Sequence, residues 1–398
     1  MKYPAIKLVD VVLCAAAIAI LVFITVNRSS KKHIEMPQRI EITVSPQYGH
    51  LFGNDIMNAL ILEFEEQNPK LRILAEGPVA EGESDVIVFD DGEFISLVNA
   101  SALSSLSPYL EAGNQGEHLA LKETPVTLWA LPLMSFIDLF FYNIDILEAA
   151  NSDRPPKTRA EFLTAARSVA GRSPAASGKG PVYPFALGLS QADPLALRRD
   201  IYPWLWMDGG DLQSIAAAGT ALPRVFTYTM GFFGQLNREN LLAPGTFEKN
   251  GKARLQEFAE GKIAMMAGSA RDIAFLRRNA QGVNFGITAI PATAQGKNRL
   301  GLSGIYAGIS STCANTDEAW AFLSFIAGKS QTLAQALNAV PGSSPGAFPG
   351  EYITQDPLYS KAWEIFEAAD IVEYNLGQLS SEREIDRIIR EKLMEVFH

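Results

Sequence analysis

An α/β chain arranged as two lobes is the architecture this sequence predicts, and three observations carry that expectation. At 398 residues the chain exceeds what one hydrophobic core organises and suits two lobes plus a short extra segment. Its hydrophobic content of 47% and charged content of 20% are those of a folded globular protein. Strand-like and helix-like periodicities also alternate along the first hundred residues, as they do where strands and helices take turns in one sheet.

The segments justify this one by one. Arg39-Ile40-Glu41-Ile42-Thr43-Val44-Ser45 alternates apolar and polar residues, the pattern of a half-buried strand. Asn54 to Asn68 carries Ile56, Leu60, Ile61 and Phe64 at helical spacing and is stopped by Asn68-Pro69, because proline disfavours helix at the preceding residue. A short strand over Leu71 to Leu74 follows. Asp85-Val86-Ile87-Val88-Phe89-Asp90 is a continuous apolar run bounded by acids, as in a buried parallel strand. Thr158-Arg159-Ala160-Glu161 is a capping box that predicts a helix to about Val169. Asn315 with Glu318 and Ser381 with Glu384 predict two further helix starts. The Gly/Ser/Pro-rich stretches at 171–180 and 341–350 read as loops or crossovers, and no internal repeat is present.

Charge narrows the partners. A net charge of −10 without a local run of Lys or Arg excludes a nucleic-acid footprint. The two cysteines, Cys14 and Cys313, form no disulfide framework. Between Lys7 and Arg28, Val11 to Val26 runs without a charged residue. It approaches the length that spans a bilayer. A cleaved signal and a retained anchor both fit this pattern; the anchor is the favoured reading because no small-x-small site follows the run. Cys14, preceded by Val-Val-Leu, reads as a membrane-buried thiol rather than an acylation site.

Catalytic chemistry is sparse. His33, His50, His118 and His398 are scattered without metal-ligand spacing, so no metal or other cofactor is expected. Gly342-Ser343-Ser344-Pro345-Gly346 matches a nucleophile-elbow pattern, but Pro345 and Pro349 would break the helix such an elbow needs. Asp90 and Asp91 follow the buried strand, where ligands of α/β sheets bind, and suit hydrogen bonds to solute hydroxyls better than paired-carboxylate catalysis.

A collinear series of segments then resembles the extracellular solute-binding proteins of family 1, the maltose-binding-protein-like components of ABC importers. It includes Phe64-Glu65-Glu66-Gln67-Asn68-Pro69, Leu106-Ser107-Pro108-Tyr109-Leu110, Leu139 to Leu147, Pro155 to Phe162, Trp204 to Asp211, Phe258 to Met265 and Asn315 to Phe322. The resemblance covers nearly the whole chain after residue 38. It implies a two-lobed periplasmic-binding-protein fold with a hinge of crossing segments, preceded by an N-terminal transmembrane anchor. Residues 1–30 are expected as that anchor or signal segment and 31–37 as a linker. The first lobe is expected over 38–138 and 305–335, the second over 139–304 and 336–398. Crossings are expected near Phe136 to Phe141, near Ser303 to Ile309 and between about Gln335 and Ser343.

The implied function is that of a monomeric, non-enzymatic binding protein at the extracytoplasmic face of the bacterial cytoplasmic membrane. It would capture a small polar solute, with a mono- or oligosaccharide as the expected class, and deliver it to ABC permease subunits. A tethered receptor or scaffold without transport, and a carbohydrate-active enzyme, are the alternatives. The expected ligand-binding residues are Gln47, Tyr48, Asp90 and Asp91 from the first lobe, and Trp204, Trp206, Asp208, Gly268 and Ser269 from the second. Gly304 and Tyr306 join them at a crossing. If the Trp204 segment is helical, positions i and i+2 cannot share a face, so one tryptophan lines the cleft and the other packs inside, or both are core.

Overall fold

The computed structural model describes residues 39–46, 48–51, 53–75, 84–111, 128–152, 154–171, 181–218, 221–294, 296–342, 355–372 and 376–398. In chain order it begins with strand β1 (Ile40–Thr43), helices α1 (Tyr48–Leu51) and α2 (Asn54–Gln67), and strands β2 (Leu71–Leu74) and β3 (Val86–Asp90). Helices α3 (Asp91–Asn99) and α4 (Ser107–Glu111), the long strand β4 (Leu131–Asn143), and helices α5 (Ile144–Ala149) and α6 (Arg159–Ala170) follow. Then come β5 (Tyr183–Phe185), α7 (Ala196–Asp200), α8 (Tyr202–Met207), α9 (Leu212–Ala217), α10 (Arg224–Arg238), α11 (Gly251–Ala259), β6 (Ile263–Ser269), α12 (Ala270–Asn279) and β7 (Phe285–Thr288). A second long strand, β8 (Arg299–Ile309), leads to α13 (Thr316–Gly328), α14 (Ser330–Leu337), β9 (Val340–Pro341), α15 (Pro357–Glu367), β10 (Asp370–Val372) and α16 (Leu376–Phe397).

Local chemistry accounts for the boundaries. Helix α6 starts where the Thr158 hydroxyl accepts from the Glu161 backbone and the Glu161 carboxylate accepts from that of Thr158, a complete capping box. Helix α2 ends at Asn68, whose side-chain amide donates to the Phe64 carbonyl. Helix α13 begins after Asn315, although that side chain makes no capping bond. The last helix departs from expectation: it begins at Leu376, five positions before Ser381. Thr43 and Asp85 tie β1 to the start of β3, the Thr43 backbone and hydroxyl both donating to the Asp85 carboxylate at 2.9 and 2.8 Å.

Two strands organise the sheet. Along β4, residues 131–137 pair antiparallel with β8, while residues 138–142 pair with β6 and 140–143 with β7. Along β8, residues 305–309 pair with β3 and residues 299–301 with β10. Each long strand therefore serves both lobes of the two-lobed α/β fold and changes partner midway. Strand β9 adds a third crossing, pairing Val340 and Pro341 with Ser135 and Met134. Nearly all of β4 is buried, which explains the unusual apolar run Leu139-Phe140-Phe141: a strand covered on both faces has no polar side to show.

Two large apolar centres result, the first of which runs on along β4 to Phe258, Met266 and Ile287. Ile42, Val44, Met57, Phe64, Val86 and Val88 pack with Phe322, Leu323 and Ile326 in one. Phe140, Phe162, Phe185, Trp204, Phe232 and Phe233 anchor the other, with rings from 5.2 to 6.1 Å apart. Helix α16 closes that second centre through Ile385, Ile389 and Leu393.

The expected N-terminal anchor is corrected here. Among the described residues no helix is long and apolar enough to cross a membrane. The apolar run within residues 1–30 and the linker at 31–37 lie outside the described residues. The described architecture is the two-lobed fold, and none of its helices is of membrane-crossing character; membrane anchoring is not carried into the functional reading. Among the described residues the only helix of spanning length, α16, is interrupted throughout by Glu, Asp, Arg and Lys.

Candidate functional site

A crevice opens where β4 leaves β8 and takes β6 as its neighbour, because strands that diverge cannot fill the space between them. The cavity there has a volume of about 580 Å³, within the range of small-molecule sites. Phe136 and Asp138 of β4, Ser303, Gly304 and Ile305 of β8, and Gly268 and Ser269 at the end of β6 form its centre. Leu51, Asp90 and Leu337 face these from the side of α1, β3 and α14. From the opposite side come α7, α11 and α12, which bring Leu195, Arg198, Arg199, Lys252, Arg254, Arg271 and Arg278.

The buried wall is a ladder of ion pairs. Arg198, 4% exposed, donates to Asp138 at 3.0 Å and to the Leu302 carbonyl at 2.7 Å, and its guanidinium lies 4.5 Å from the Trp206 ring centre. Arg199 donates to Asp193 at 2.9 Å, to Asp200 at 3.3 Å and to the Gly188 carbonyl at 3.2 Å. Arg254 pairs with Asp200, which no solvent reaches and which also accepts from the Gly188 backbone. Gly251 opens α11 against the face of Arg199. A β-carbon there would lie 2.1 Å from the guanidinium carbon, so any larger residue would push the arginine from this position. Gly301 on β8 plays the same part for Trp206 and Asp138, which would lie 2.3 and 2.5 Å from its β-carbon.

One pair reaches across the crevice. Asp90, the N-cap of α3 through the Gly92 backbone, sits 4.0 Å from Arg271 at the start of α12. Beside it, Gly92 faces Leu195 so closely that a β-carbon would meet it at 2.9 Å.

Burial pushes the Asp138 carboxyl up to about 6, desolvation outweighing the attraction of Arg198 and the Ser303 hydrogen bond, with repulsion from Asp272 adding to it. These are the groups that face it from α7, β8 and α12. An unfolded aspartate titrates near 3.9, so the folded state holds the extra proton. This group's contribution to stability is full below about pH 4 and is lost as the pH rises through about 6. Wild-type protein should therefore gain about 1–1.5 kcal/mol on going from pH 7.5 to pH 5 relative to Asp138→Asn. Urea unfolding of both at the two pH values checks this, and parallel pH profiles would refute it.

Of the residues the sequence singled out, the crevice gathers Asp90, Gly268, Ser269 and Gly304. Gln47 lies outside the described residues. Asp91 opens α3, and its side chain lies outside the described residues. Tyr48 is a core residue, 2% exposed, whose hydroxyl donates to the Ala75 carbonyl at 2.6 Å. Tyr306 packs against Phe89 and Phe94. Asp208 pairs with buried Arg159 at 2.6 Å and accepts from the Thr293 backbone at 2.8 Å, a structural bond.

The expectation of a cleft tryptophan is corrected: Trp204 and Trp206 are both core, at 0% and 1% exposure. Helix α8, Tyr-Pro-Trp-Leu-Trp-Met, is apolar on every side and has no face to present to water. Trp206 lies one layer behind the crevice, under Arg198. The arginines were missed. Their signal was Leu197-Arg198-Arg199-Asp200-Ile201, two cations and an acid set inside an apolar stretch, which is unusual for a solvated helix face.

With this geometry, comparison with known proteins becomes specific. A model for bacterial extracellular solute-binding proteins matches residues 55–332. The chain belongs to that family. It is accordingly a binding protein with a solute-capture role and not an enzyme. No curated protein matches it by sequence. Among solved structures it is similar to the GacH receptor of Streptomyces glaucescens, known unliganded and with acarbose, at 18% identity over 90% of this chain and 94% of that one, TM-score 0.65. UgpB from Mycobacterium tuberculosis, solved with glycerophosphocholine, aligns at 15% identity over 90% and 98%, TM-score 0.63. Maltose-bound T. maritima MalE3 aligns at 17% identity over 90% and 94%, TM-score 0.64.

Proposed function

We propose that this protein captures a small polar solute in the crevice between its lobes and presents it to an ABC importer outside the cytoplasm. The observation that carries the reading is the cavity of about 580 Å³ at the point where β4 and β8 change partners. Solute contacts to both sides would favour the closed arrangement over the open one, and closure is what a transporter can sense. The family membership and the solute-bound relatives support the same role. The lobe boundaries expected from the sequence, 38–138 with 305–335 and 139–304 with 336–398, belong to this proposal, as does contact between the solute and Asp90, Gly268, Ser269 and Gly304. A carbohydrate remains one solute class to test, although neither Trp nor Tyr is among the described lining residues.

Thermal unfolding of the full chain against a panel of mono- and oligosaccharides, sugar acids and phosphate esters tests capture. A solute at a hundred times its Kd should add roughly 2.7 kcal/mol of stability. The same solute should reduce the radius of gyration in small-angle scattering. A panel with no stabilising member, at concentrations up to millimolar, counts against capture; saturation without compaction counts against closure.

A further inference from the structure

The crevice opposes the charge of the molecule that holds it. The chain carries −10 overall, yet among the described residues Arg198, Arg199, Lys252, Arg254, Arg271 and Arg278 line the cavity against three acids, Asp90, Asp138 and Asp272. All three are already engaged as acceptors, Asp90 with the Gly92 backbone at 3.0 Å, Asp138 with Arg198, and Asp272 with the Ser269 backbone at 2.9 Å. Asp193 and Asp200 stand behind the wall, where they hold Arg199 and Arg254 in place. Even with both counted, cations exceed acids by six to five. The excess sits where a solute enters: Lys252 and Arg278 are exposed and have no ion-pair partner among the described residues. Arg278 makes only a bond from Nε to the Ala274 carbonyl at 3.3 Å.

Such a lining suits one chemistry. A concave site with low-dielectric walls focuses the field of its charges and concentrates ions of opposite sign. Guanidinium groups match the paired oxygens of phosphate and carboxylate better than they match a hydroxyl. A neutral sugar would ask for aromatic faces and uncommitted acceptors. Among the described lining residues the aromatic supply is Phe136 and Phe275, and Phe136 is already covered by Arg271 at 5.9 Å.

We propose that the solute taken by this crevice is a small organic anion bearing a phosphate or carboxylate group, drawn in by Lys252 and Arg278 at the rim and seated against Arg271, Arg198, Arg199 and Arg254. The proposal rests on the capture reading above and specifies its solute class. As a competitor for Arg271, the anion would also loosen the Asp90 contact across the crevice.

Matched probes test it. Titration calorimetry of the full chain at pH 7.5 compares glucose, glucose 6-phosphate and glucuronate, and then glycerol with glycerol 3-phosphate. At least one charged probe should bind tenfold or more tightly than its neutral counterpart and weaken as sodium chloride is raised. The phosphate and glucuronate arms show which oxyanion is preferred. Lys252→Gln and Arg278→Gln, both at exposed positions, should each weaken that binding several-fold, flatten its salt dependence and leave the melting temperature of the unliganded protein unchanged. Neutral probes that bind as tightly as charged ones, or an unchanged affinity in the double variant, would overturn the anionic class and leave capture standing. Failure of every charged and neutral probe, together with no stabilising member in the thermal panel, would overturn both readings.

Discussion

Asp200→Ala should destabilise the folded protein by about 3–5 kcal/mol, the cost of leaving a buried charge without its partner. Asp200 is fully buried, pairs with Arg254 at 1% exposure, and also accepts from Arg199 and from the Gly188 backbone. Desolvation raises the Asp200 carboxyl above its ordinary range and lowers the Arg254 guanidinium, each shift opposed by the other's charge. Removing the carboxylate therefore strands Arg254 and leaves Arg199 with Asp193 and the Gly188 carbonyl alone. Asp200→Asn keeps an acceptor for the Gly188 backbone and should fall between wild type and alanine. Because Arg199 and Arg254 also line the crevice, solute binding should weaken in the folded fraction. Equilibrium unfolding in urea gives the stability change directly; a loss under about 1 kcal/mol would mean that water or a neighbouring group compensates the buried pair.

Trp204→Ala should cost a similar amount, about 3–5 kcal/mol, through the cavity it leaves. The indole is the hub of an aromatic cluster, meeting Phe140, Phe162, Phe185, Phe232 and Phe233 at 5.2 to 5.9 Å, mostly edge to face. Among the described residues its Nε1 has no hydrogen-bond partner, so Trp204→Phe gives up volume but no bond and should cost about 1–2 kcal/mol. Solute affinity is the discriminating readout. A cleft residue would lose affinity with folding intact, whereas this core residue should lose stability with affinity retained in the folded fraction. Calorimetry and denaturant titration of both variants separate the cases, and weakened binding at full stability would return Trp204 to the crevice.

Elements with a local cause could be read from the chain. The capping box at Thr158, the proline stop after Asn68 and the bounded apolar run at Val86 to Phe89 each act within a few residues, and each sits at its expected place, although β3 pairs antiparallel with β8 and not in the parallel arrangement its apolar run suggested. The start of the last helix was misplaced because Ser381 and Glu384 form a valid capping pattern inside a segment that is already helical from Leu376. The tryptophans show the other limit. Two indoles beside an Asp-Gly-Gly turn fit an aromatic solute platform, but the helix is apolar on all sides and is surrounded on all of them.

The opening order of strands and helix, the two-lobed class and the family were already determined by local pattern, since periodicity, caps and turn residues act over short stretches of chain. The chemistry of the crevice was decided only by tertiary structure. Arg198, Lys252 and Arg271 come from three separate helices, Asp138 and Gly304 from two strands that pair across more than a hundred and fifty residues of sequence. No local rule brings such groups together. What assembles them is the exchange of partners along β4 and β8, which opens the space, and the need of each buried cation for an acid within reach, which fixes where its guanidinium lies.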